Sequence, residues 1–403
     1  MKYIALLGHG VVGTGVTEIL EEEGARLAQA AGDALAVKSI LTRRPREGDA
    51  RFVSDFSVIE GDADISIVVE VMGGLSPAYD YVRRALCAGK NVVTANKELI
   101  AEKGGELLAL AKQNGVRLLF EASVGGGIPL LRPMRQNLAA NRLLSLRGVL
   151  NGTTNYILSA MHAQGLSFSA ALQRAQALGY AEADPTADVE GHDACRKLCI
   201  LCSLAWGRHV SPSSVRCEGI THVTAYDVLL AEAGGFVIKL VVSAAMRETG
   251  TFETLVAPRL LPQSALLASL GGAYNALLCD MSNVGPLAFV GQGAGKRATA
   301  SAVWSDILAC CLPLPAFEVP AWSEAPADAP APWESVRFRR FARCSYEQAA
   351  RLASTHGWRL ITAHGCPDAA VLTDPLSHEE AARLLHGCAL LRIAEEADSW
   401  RKA

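Results

Sequence analysis

The apolar stretch Ile4-Ala5-Leu6-Leu7 runs directly into Gly8-His9-Gly10-Val11-Val12-Gly13. A glycine pattern in that place constrains the fold more than any other feature of the chain. The first glycine permits a tight turn, the second lets a phosphate approach the backbone, and the third lets the following helix pack against the strand. The helix then aims unpaired N–H groups and the positive end of its dipole at the phosphates. The pattern alone is common. Here a strand, Tyr3–Leu7, precedes it and a helix, Val11–Glu23, opens from it, which is the setting in which it holds a dinucleotide. Gly8, Gly10, Val11, Val12 and Gly13 are the expected cofactor contacts, with a purely structural glycine turn as the alternative. His9 is a bystander, because its position needs only a backbone.

The first third continues in the same rhythm. Leu35–Thr42, Ile65–Val71, Asn91–Thr94 and Arg117–Phe120 read as strands, with helices at Ala78–Ala88 and Lys97–Gln113 between them. Strands alternating with helices predict an α/β unit, a Rossmann-type doubly wound parallel sheet, over residues 1–130 and completed by 296–312. From about Ile128 the pattern changes. A strand at Leu143–Leu150 precedes helices at Thr154–Gln164, Phe168–Leu178 and His192–Trp206, then strands at Phe236–Ala245, Thr251–Pro258, Ala276–Ser282 and Pro286–Val290. These predict an α+β catalytic and dimerisation domain with an open antiparallel sheet over 131–295, before a helix at Thr299–Ala309. Residues 313–334 are rich in proline and alanine and read as a linker or draped segment without its own core. A strand, helix, strand, strand, helix, strand order over 335–396 reads as a small separate domain.

Composition narrows the function class. The formal net charge is −3, which gives no electrostatic case for nucleic acid or an anionic membrane as partner. No apolar run approaches the roughly 18–20 residues needed to span a bilayer. The amino-terminal apolar stretch is a strand length, and the reading is a cytoplasmic protein acting on a small molecule. The eleven cysteines are odd in number and irregularly spaced, which suits reduced thiols. Cys195, Cys199 and Cys202 recur at helical spacing and read as a buried helix face.

Cofactor preference turns on the end of the second strand. A carboxylate about 20 residues beyond the glycines would hold the ribose hydroxyls of NAD. Asp33 lies near that offset but precedes its strand, whereas the other end reads Leu41-Thr42-Arg43-Arg44. Arginines such as Arg43 could pair with a 2′-phosphate, so NADP is preferred and NAD is the alternative.

Five motifs then follow in series: Val93-Thr94-Ala95-Asn96-Lys97, Glu121-Ala122-Ser123-Val124-Gly125-Gly126-Gly127-Ile128-Pro129, Leu150-Asn151-Gly152-Thr153-Thr154-Asn155-Tyr156, Gly179-Tyr180-Ala181-Glu182-Ala183-Asp184-Pro185 and Asp188-Val189-Glu190-Gly191-His192-Asp193-Ala194-Cys195-Arg196-Lys197. In order, spacing and identity they resemble homoserine dehydrogenases over residues 1 to about 310. The resemblance implies hydride transfer between NAD(P)H and L-aspartate 4-semialdehyde, giving L-homoserine in threonine and methionine biosynthesis.

The residue chemistry is compatible with those roles. Asp193 and Lys197 are four apart on one predicted helix and share a face. Taken alone, such a pair reads as a surface ion pair. A zwitterionic substrate with a reacting hydroxyl needs carboxylates for its ammonium group and a cationic acid–base group at the alcohol. The resemblance implies that Lys197 is the general acid/base and that Asp193 orients substrate and lysine. It places Glu182 and Asp188 at the substrate ammonium, Thr153 at the substrate, and Lys97 beside nicotinamide and substrate. Gly73 with Gly74, Thr94, Gly179 and Gly293 are expected along the cofactor groove. Burial would lower the lysine pKa toward neutrality, where proton transfer is effective.

Glu121 with Val124, Gly126 and Ile128 resembles the family's monovalent-cation site, one carboxylate plus main-chain carbonyls for sodium or potassium. From the residues alone the same segment is a glycine-rich hinge. The family's proline before threonine is replaced by Lys296-Arg297-Ala298-Thr299, at the cost of a helix-start preference. The terminal module resembles an ACT domain in element order but has Arg343-Cys344-Ser345-Tyr346-Glu347 where the effector-binding glycine turn would lie. It reads as a degenerate ACT-like module with a structural or dimerising role, insensitive to threonine. The resemblance implies a homodimer or a dimer of dimers. Two further readings stay open: a dehydrogenase for another amino-acid semialdehyde, and a catalytically silent dinucleotide sensor.

Overall fold

The computed structural model describes the chain except residues 45, 47, 314–321, 327–328, 333–335 and 395–403. The amino-terminal unit runs β1 (Lys2–Leu7), α1 (Val11–Ala31), β2 (Leu35–Leu41), β3 (Phe52–Val53), α2 (Ser57–Glu60), β4 (Ile65–Glu70), α3 (Ala78–Cys87), β5 (Asn91–Thr94), α4 (Lys97–Gln113) and β6 (Leu118–Leu119). Its six strands are parallel in the order β3-β2-β1-β4-β5-β6. The order reverses between β1 and β4, so the carboxyl ends of those strands diverge and open a crevice. Ile4 to Leu7 are fully buried, as strands covered on both faces must be. Helix α1 passes its expected end at Glu23 because Leu27 and Ala31 continue its buried stripe; it stops at Gly32 in the left-handed region.

The middle unit begins with α5 (Leu131–Arg135) and β7 (Leu143–Val149), followed by α6 (Gly152–Gln164), α7 (Phe168–Ala177), α8 (Thr186–Val189) and α9 (His192–Trp206). After β8 (Arg208–His209), β9 (Arg216–Cys217) and α10 (Ala225–Ala233) come β10 (Phe236–Met246), β11 (Phe252–Pro262), β12 (Tyr274–Met281) and β13 (Gly285–Gln292). Helix α9 is buried along nearly its whole length, including Cys195, Cys199 and Cys202, so those thiols are packed core groups as read from their spacing.

Helix α11 (Lys296–Cys311) returns to the first sheet, where Ala300, Val303 and Ile307 share a core with Ile4, Leu6 and Val16. It starts at Lys296 even though the proline is missing. Lys296 pairs with Glu18 at 2.5 Å and Arg297 with Glu22 at 2.6 Å, both on α1. Gly15 admits this close approach, since a Cβ there would lie 2.8 Å from the Lys296 carbonyl oxygen.

The described parts of the Pro/Ala-rich segment drape over the body. Trp322 covers Gly104 of α4, and β14 (Ser323–Glu324) pairs with β8. The rest of the expected linker, the expected domain start at Ser335 and its end at 395–396 lie outside the described residues. The terminal elements are β15 (Arg340–Ser345), α12 (Tyr346–His356), β16 (Arg359–Ile361), β17 (Asp368–Leu372), α13 (His378–Leu384) and β18 (Ala389–Ile393).

The strands expected in the second sheet pair antiparallel, β7 with β10 and β12, β10 with β11, and β12 with β13. Two strands not expected there, β18 and β9, pair with β11 in parallel and make the sheet mixed. The terminal module has a core of its own around Ala342, Ala349, Val371 and Leu385, and its strands are continuous with the middle sheet. Through β11–β18 it extends the middle sheet into the order β13-β12-β7-β10-β11-β18-β15-β17-β16. Phe341, Leu372, Leu391 and Ile393 join the core that holds Leu198 and Val256. The physical reason is an edge: without β18, β11 would leave a row of backbone groups unpaired.

Candidate active site

At the crevice, each glycine of the first turn has a distinct job. Gly8 adopts φ +99°, and a Cβ on Gly13 would lie 2.5 Å from the Gly8 carbonyl oxygen, so neither position admits a side chain without strain. Nothing lies within 4 Å of a Cβ built on Gly10, and Val11 is 68% exposed. The start of α1 therefore presents bare N–H groups to open space, with Val12 half-buried behind them. That cradle fits a pyrophosphate. The Gly8 N–H donates to the Leu41 carbonyl at 3.0 Å, which places the exposed Arg43 just past the strand end next to the turn.

The facing wall is organised by a carboxylate not singled out from sequence. Glu70, fully buried at the end of β4, accepts from the N–H groups of Met72 at 2.8 Å and Gly73 at 3.2 Å and from the Thr94 hydroxyl at 2.5 Å. Burial pushes its pKa up against these bonds. Gly73 and Gly74 are exposed at positive φ just past β4. Thr94 is buried behind them and donates its hydroxyl to Glu70. Asn96 caps α4 by accepting from the Leu99 N–H at 3.0 Å, and its amide donates to the Gly74 carbonyl at 2.7 Å. Lys97 is thus launched from the first turn of α4 across the cleft.

Across that cleft lies α9. Asp193 sits in its first turn, 4% exposed, where the helix dipole favours a carboxylate. Its Oδ1 is 2.6 Å from Lys97 Nζ and its Oδ2 is 2.7 Å from Lys197 Nζ. Lys197 Nζ also donates to the Leu150 carbonyl at 2.7 Å. Asn151 ties the group to the end of α8, its amide donating to Asp193 Oδ2 at 2.8 Å and to Asp188 Oδ1 at 2.6 Å. Burial opposes ionisation of Asp193, but the two ammonium groups outweigh it and hold the carboxyl well below the usual range. Asp193 in turn raises the pKa of Lys97. For Lys197, burial prevails over Asp193 and lowers its pKa from the ordinary 10.5. Among the described residues two hydrogens of the Lys197 ammonium have partners, leaving one for an incoming oxygen.

The remaining expected residues distribute unevenly. Asp188 is half-buried beside Asn151, and the Thr153 hydroxyl donates to the Tyr180 carbonyl at 2.7 Å, pinning the 179–182 turn over α6. Gly179 at φ +77° and Glu182 are exposed on that turn, and Tyr180 stacks on Tyr156 at 4.7 Å. Gly293 does not open onto the groove. It is buried, and a Cβ there would strike the Asn275 side chain at 1.9 Å, so its glycine character serves packing. A Cβ on Gly126 would lie 2.5 Å from the Gly293 carbonyl oxygen. The glycines of 125–127 and 291–295 therefore form a backbone-on-backbone joint. Beside it the Glu121 carboxylate accepts from the N–H groups of Leu130, Leu131 and Arg132 at 2.6, 2.9 and 2.8 Å, capping α5. Val124 and Ile128 are buried in the same joint. Among the described residues no group of three or more His, Cys, Asp or Glu side chains gathers to hold a metal.

Asn151, like Glu70, was not among the predicted site residues. A signal existed for each: Asn151 before Gly152-Thr153-Thr154 is a helix-cap pattern, and Glu70 ends an apolar parallel strand at its carboxyl end.

A nucleotide cradle facing a lysine–aspartate–lysine array can be compared with known proteins. Residues 8–121 match the homoserine dehydrogenase NAD-binding domain and residues 129–308 match the homoserine dehydrogenase family. The homoserine dehydrogenase of Synechocystis is 45% identical over 314 residues, covering 76% of this chain and 72% of its own. The chain belongs to the homoserine dehydrogenase family. In fold it is similar to the homoserine dehydrogenase of Thiobacillus denitrificans, with TM-score 0.88, 35% identity and 98% of each chain covered, so the likeness includes the terminal module. A hyperthermophilic archaeal homoserine dehydrogenase in complex with NADPH matches 78% of this chain and 99% of its own, with TM-score 0.68 and 28% identity. As a homoserine dehydrogenase it uses a nicotinamide dinucleotide to interconvert L-aspartate 4-semialdehyde and L-homoserine, a step of threonine and methionine biosynthesis. Among the described residues no helix is long and apolar enough to cross a membrane.

Proposed function

We propose that Lys197 is the general acid/base of this reaction and that Asp193 and Lys97 hold it and the substrate in place. The single observation carrying this is the array Lys97–Asp193–Lys197, in which one buried carboxylate receives ammonium groups from both sides of the cleft. When bound, the nicotinamide ring supplies or accepts the hydride at the substrate carbon. In reduction, Lys197 delivers a proton to the aldehyde oxygen as it becomes an alcohol; in oxidation, neutral Lys197 takes it back. Asp193 keeps the lysine oriented. Lys97 offers a second donor to the same oxygen from the cofactor side. Asp188, Glu182 and the Thr153-anchored turn form the acidic rim that receives the substrate ammonium.

The test is homoserine oxidation by Lys197→Met and Asp193→Asn. Loss of about 100-fold or more in kcat, with nucleotide binding retained, is the expected result for removing a proton-transfer group. Unchanged turnover in Lys197→Met rejects the assignment.

The exposed Arg43 at the end of β2 supports NADP as the preferred cofactor, with NAD as the weaker alternative. A sodium or potassium ion is proposed at the 121–128 joint. Because both oxygens of Glu121 already accept backbone N–H groups, main-chain carbonyls of the segment including Val124, Gly126 and Ile128 would hold it. Its work there is to shape the joint between units. Dimerisation is proposed through the open face of β12 and β13, and the terminal module is taken as ACT-like and degenerate. Cytoplasmic location fits this chemistry.

A further inference from the structure

The α8–α9 turn 188–191, whose residues Asp188 and Val189 end α8 and whose last residue opens α9, is braced from behind by a segment with no assigned role. The Ile220 N–H donates to the Val189 carbonyl at 2.8 Å. The Thr221 hydroxyl donates to Glu190 Oε1 at 3.2 Å, and the Cys217 thiol to the Glu190 carbonyl at 3.4 Å. The contact is backbone against backbone: a Cβ on Gly219 would lie 2.4 Å from the Val189 carbonyl oxygen and 2.6 Å from Glu190 Cα. From the other side, a Cβ on Gly191 would meet Cys217 Sγ at 3.0 Å. Movement of residues 217–221 therefore moves the turn.

That brace is held by the terminal module. Glu218 lies between Arg216, at 3.1 Å from its Oε1, and Arg392 of β18, whose two terminal nitrogens grip both carboxylate oxygens, one at 2.9 Å. Arg392 is 6% exposed and fixed by strand pairing, opposite Arg259 on β11 and Arg340 on β15. The Glu218 N–H also donates to the Val256 carbonyl at 2.8 Å, so the residue is anchored at backbone and side chain.

We infer that Glu218 is a positioning residue for substrate binding, and that the Arg392–Glu218 clasp lets the terminal module set the place of the Asp188 turn. A contiguous chain of contacts runs from β18 through Glu218, Gly219 and Val189 to Asp188, whose carboxylate shares the Asn151 amide with Asp193. A bidentate guanidinium–carboxylate clasp has a defined geometry, so it transmits position as well as charge. The inference rests on the proposed reading of Asp188 as a substrate residue.

The experiment measures KM for homoserine, KM for nucleotide, kcat and thermal midpoint in the full-length enzyme carrying Glu218→Gln, Arg392→Met or Arg392→Lys. The first two are expected to raise KM for homoserine about fivefold or more, the lower range of measured intersite coupling, with KM for nucleotide within about twofold of the parent. Arg392→Lys keeps the charge and should recover part of the loss. The double variant Glu218→Gln/Arg392→Met should be no worse than the poorer single one, because both remove the same clasp. If the thermal midpoint falls while every kinetic constant holds, the clasp is only structural and the inference is overturned. It is equally overturned if both KM values and kcat deteriorate together. Asp188→Asn separates this from the reading beneath it: an unchanged KM for homoserine there rejects the role of Asp188, whereas a raised KM there with normal Glu218→Gln rejects only the clasp.

Discussion

Burial acts on Asp193 and Lys197 in the same direction, against charge, yet it wins at the lysine and loses at the carboxylate. Asp193 has ammonium groups on both of its oxygens, whereas Lys197 has one carboxylate, one carbonyl and the like charge of Lys97 nearby. The sign of the pH dependence follows. With Lys197 as the proposed base, homoserine oxidation needs its neutral form, so kcat/KM should climb with pH and level off above a midpoint lowered from the ordinary lysine value. Semialdehyde reduction needs the charged form and should decline through the same midpoint. Removing Lys97 takes away a like charge, so Lys97→Met should move that midpoint upward, a shift that pH–rate profiles would report. A midpoint that stays fixed would mean the two lysines do not share the site. Arg43 carries a separate expectation. Arg43→Ala should raise KM for NADP several-fold while leaving KM for NAD nearly unchanged, because only NADP has a 2′-phosphate for the guanidinium.

Among the elements, the glycine turn was legible because glycine reports backbone geometry directly: Gly8 and Gly13 are required by contacts a few residues away. Helix α9 was legible from its spacing, and the neighbourhood of Asp193 and Lys197 follows from that helix alone. What stayed hidden depends on partners distant in sequence. The Thr94 hydroxyl serves Glu70, the Asn151 amide joins Asp188 to Asp193, and Gly293 is buried against Asn275. No local pattern announces such pairings. The parallel β11–β18 junction was missed for the same reason, since an edge strand carries no mark of the partner that will cover it. The joint between 125–127 and 291–295 yields a prediction at this scale. Gly126 has φ +58°, and a Cβ would press on the Gly293 carbonyl, so both conformation and space forbid a side chain. Gly126→Ala should cost on the order of 2 kcal/mol or more in denaturant unfolding, the range for strain at a special backbone position. Gly10→Ala, with open space around it, should instead leave stability nearly intact and weaken nucleotide binding, because the methyl group occupies the approach of the phosphates.

For the whole molecule, the long mixed sheet is covered unevenly. Near β10 and β11 its second face is closed by Leu267, Ala268 and Leu270, which pack on Val241 and Leu261. That cover reaches Ala276 and Leu278 of β12 and ends toward β13. Along β13 burial alternates residue by residue, leaving Pro286, Ala288, Val290 and Gln292 exposed, with Val290 at 49%. In register beside them stand Leu278 and Tyr274 of β12, the latter 50% exposed. A contiguous apolar sheet face of this kind is what a two-fold interface buries, the same patch on both copies. Introducing a charge at its centre should therefore divide the proposed dimer without disturbing the fold, because the Val290 side chain is exposed. Val290→Glu is expected to run at the mass of one chain in sedimentation, with an unchanged far-ultraviolet spectrum, whereas the parent runs as two or as a pair of twos. Helices α6 and α9 pack on β10, and the Lys97–Asp193–Lys197 array lies between α4 and α9, so nucleotide binding should survive the change. An undivided Val290→Glu protein would place the contact between copies elsewhere.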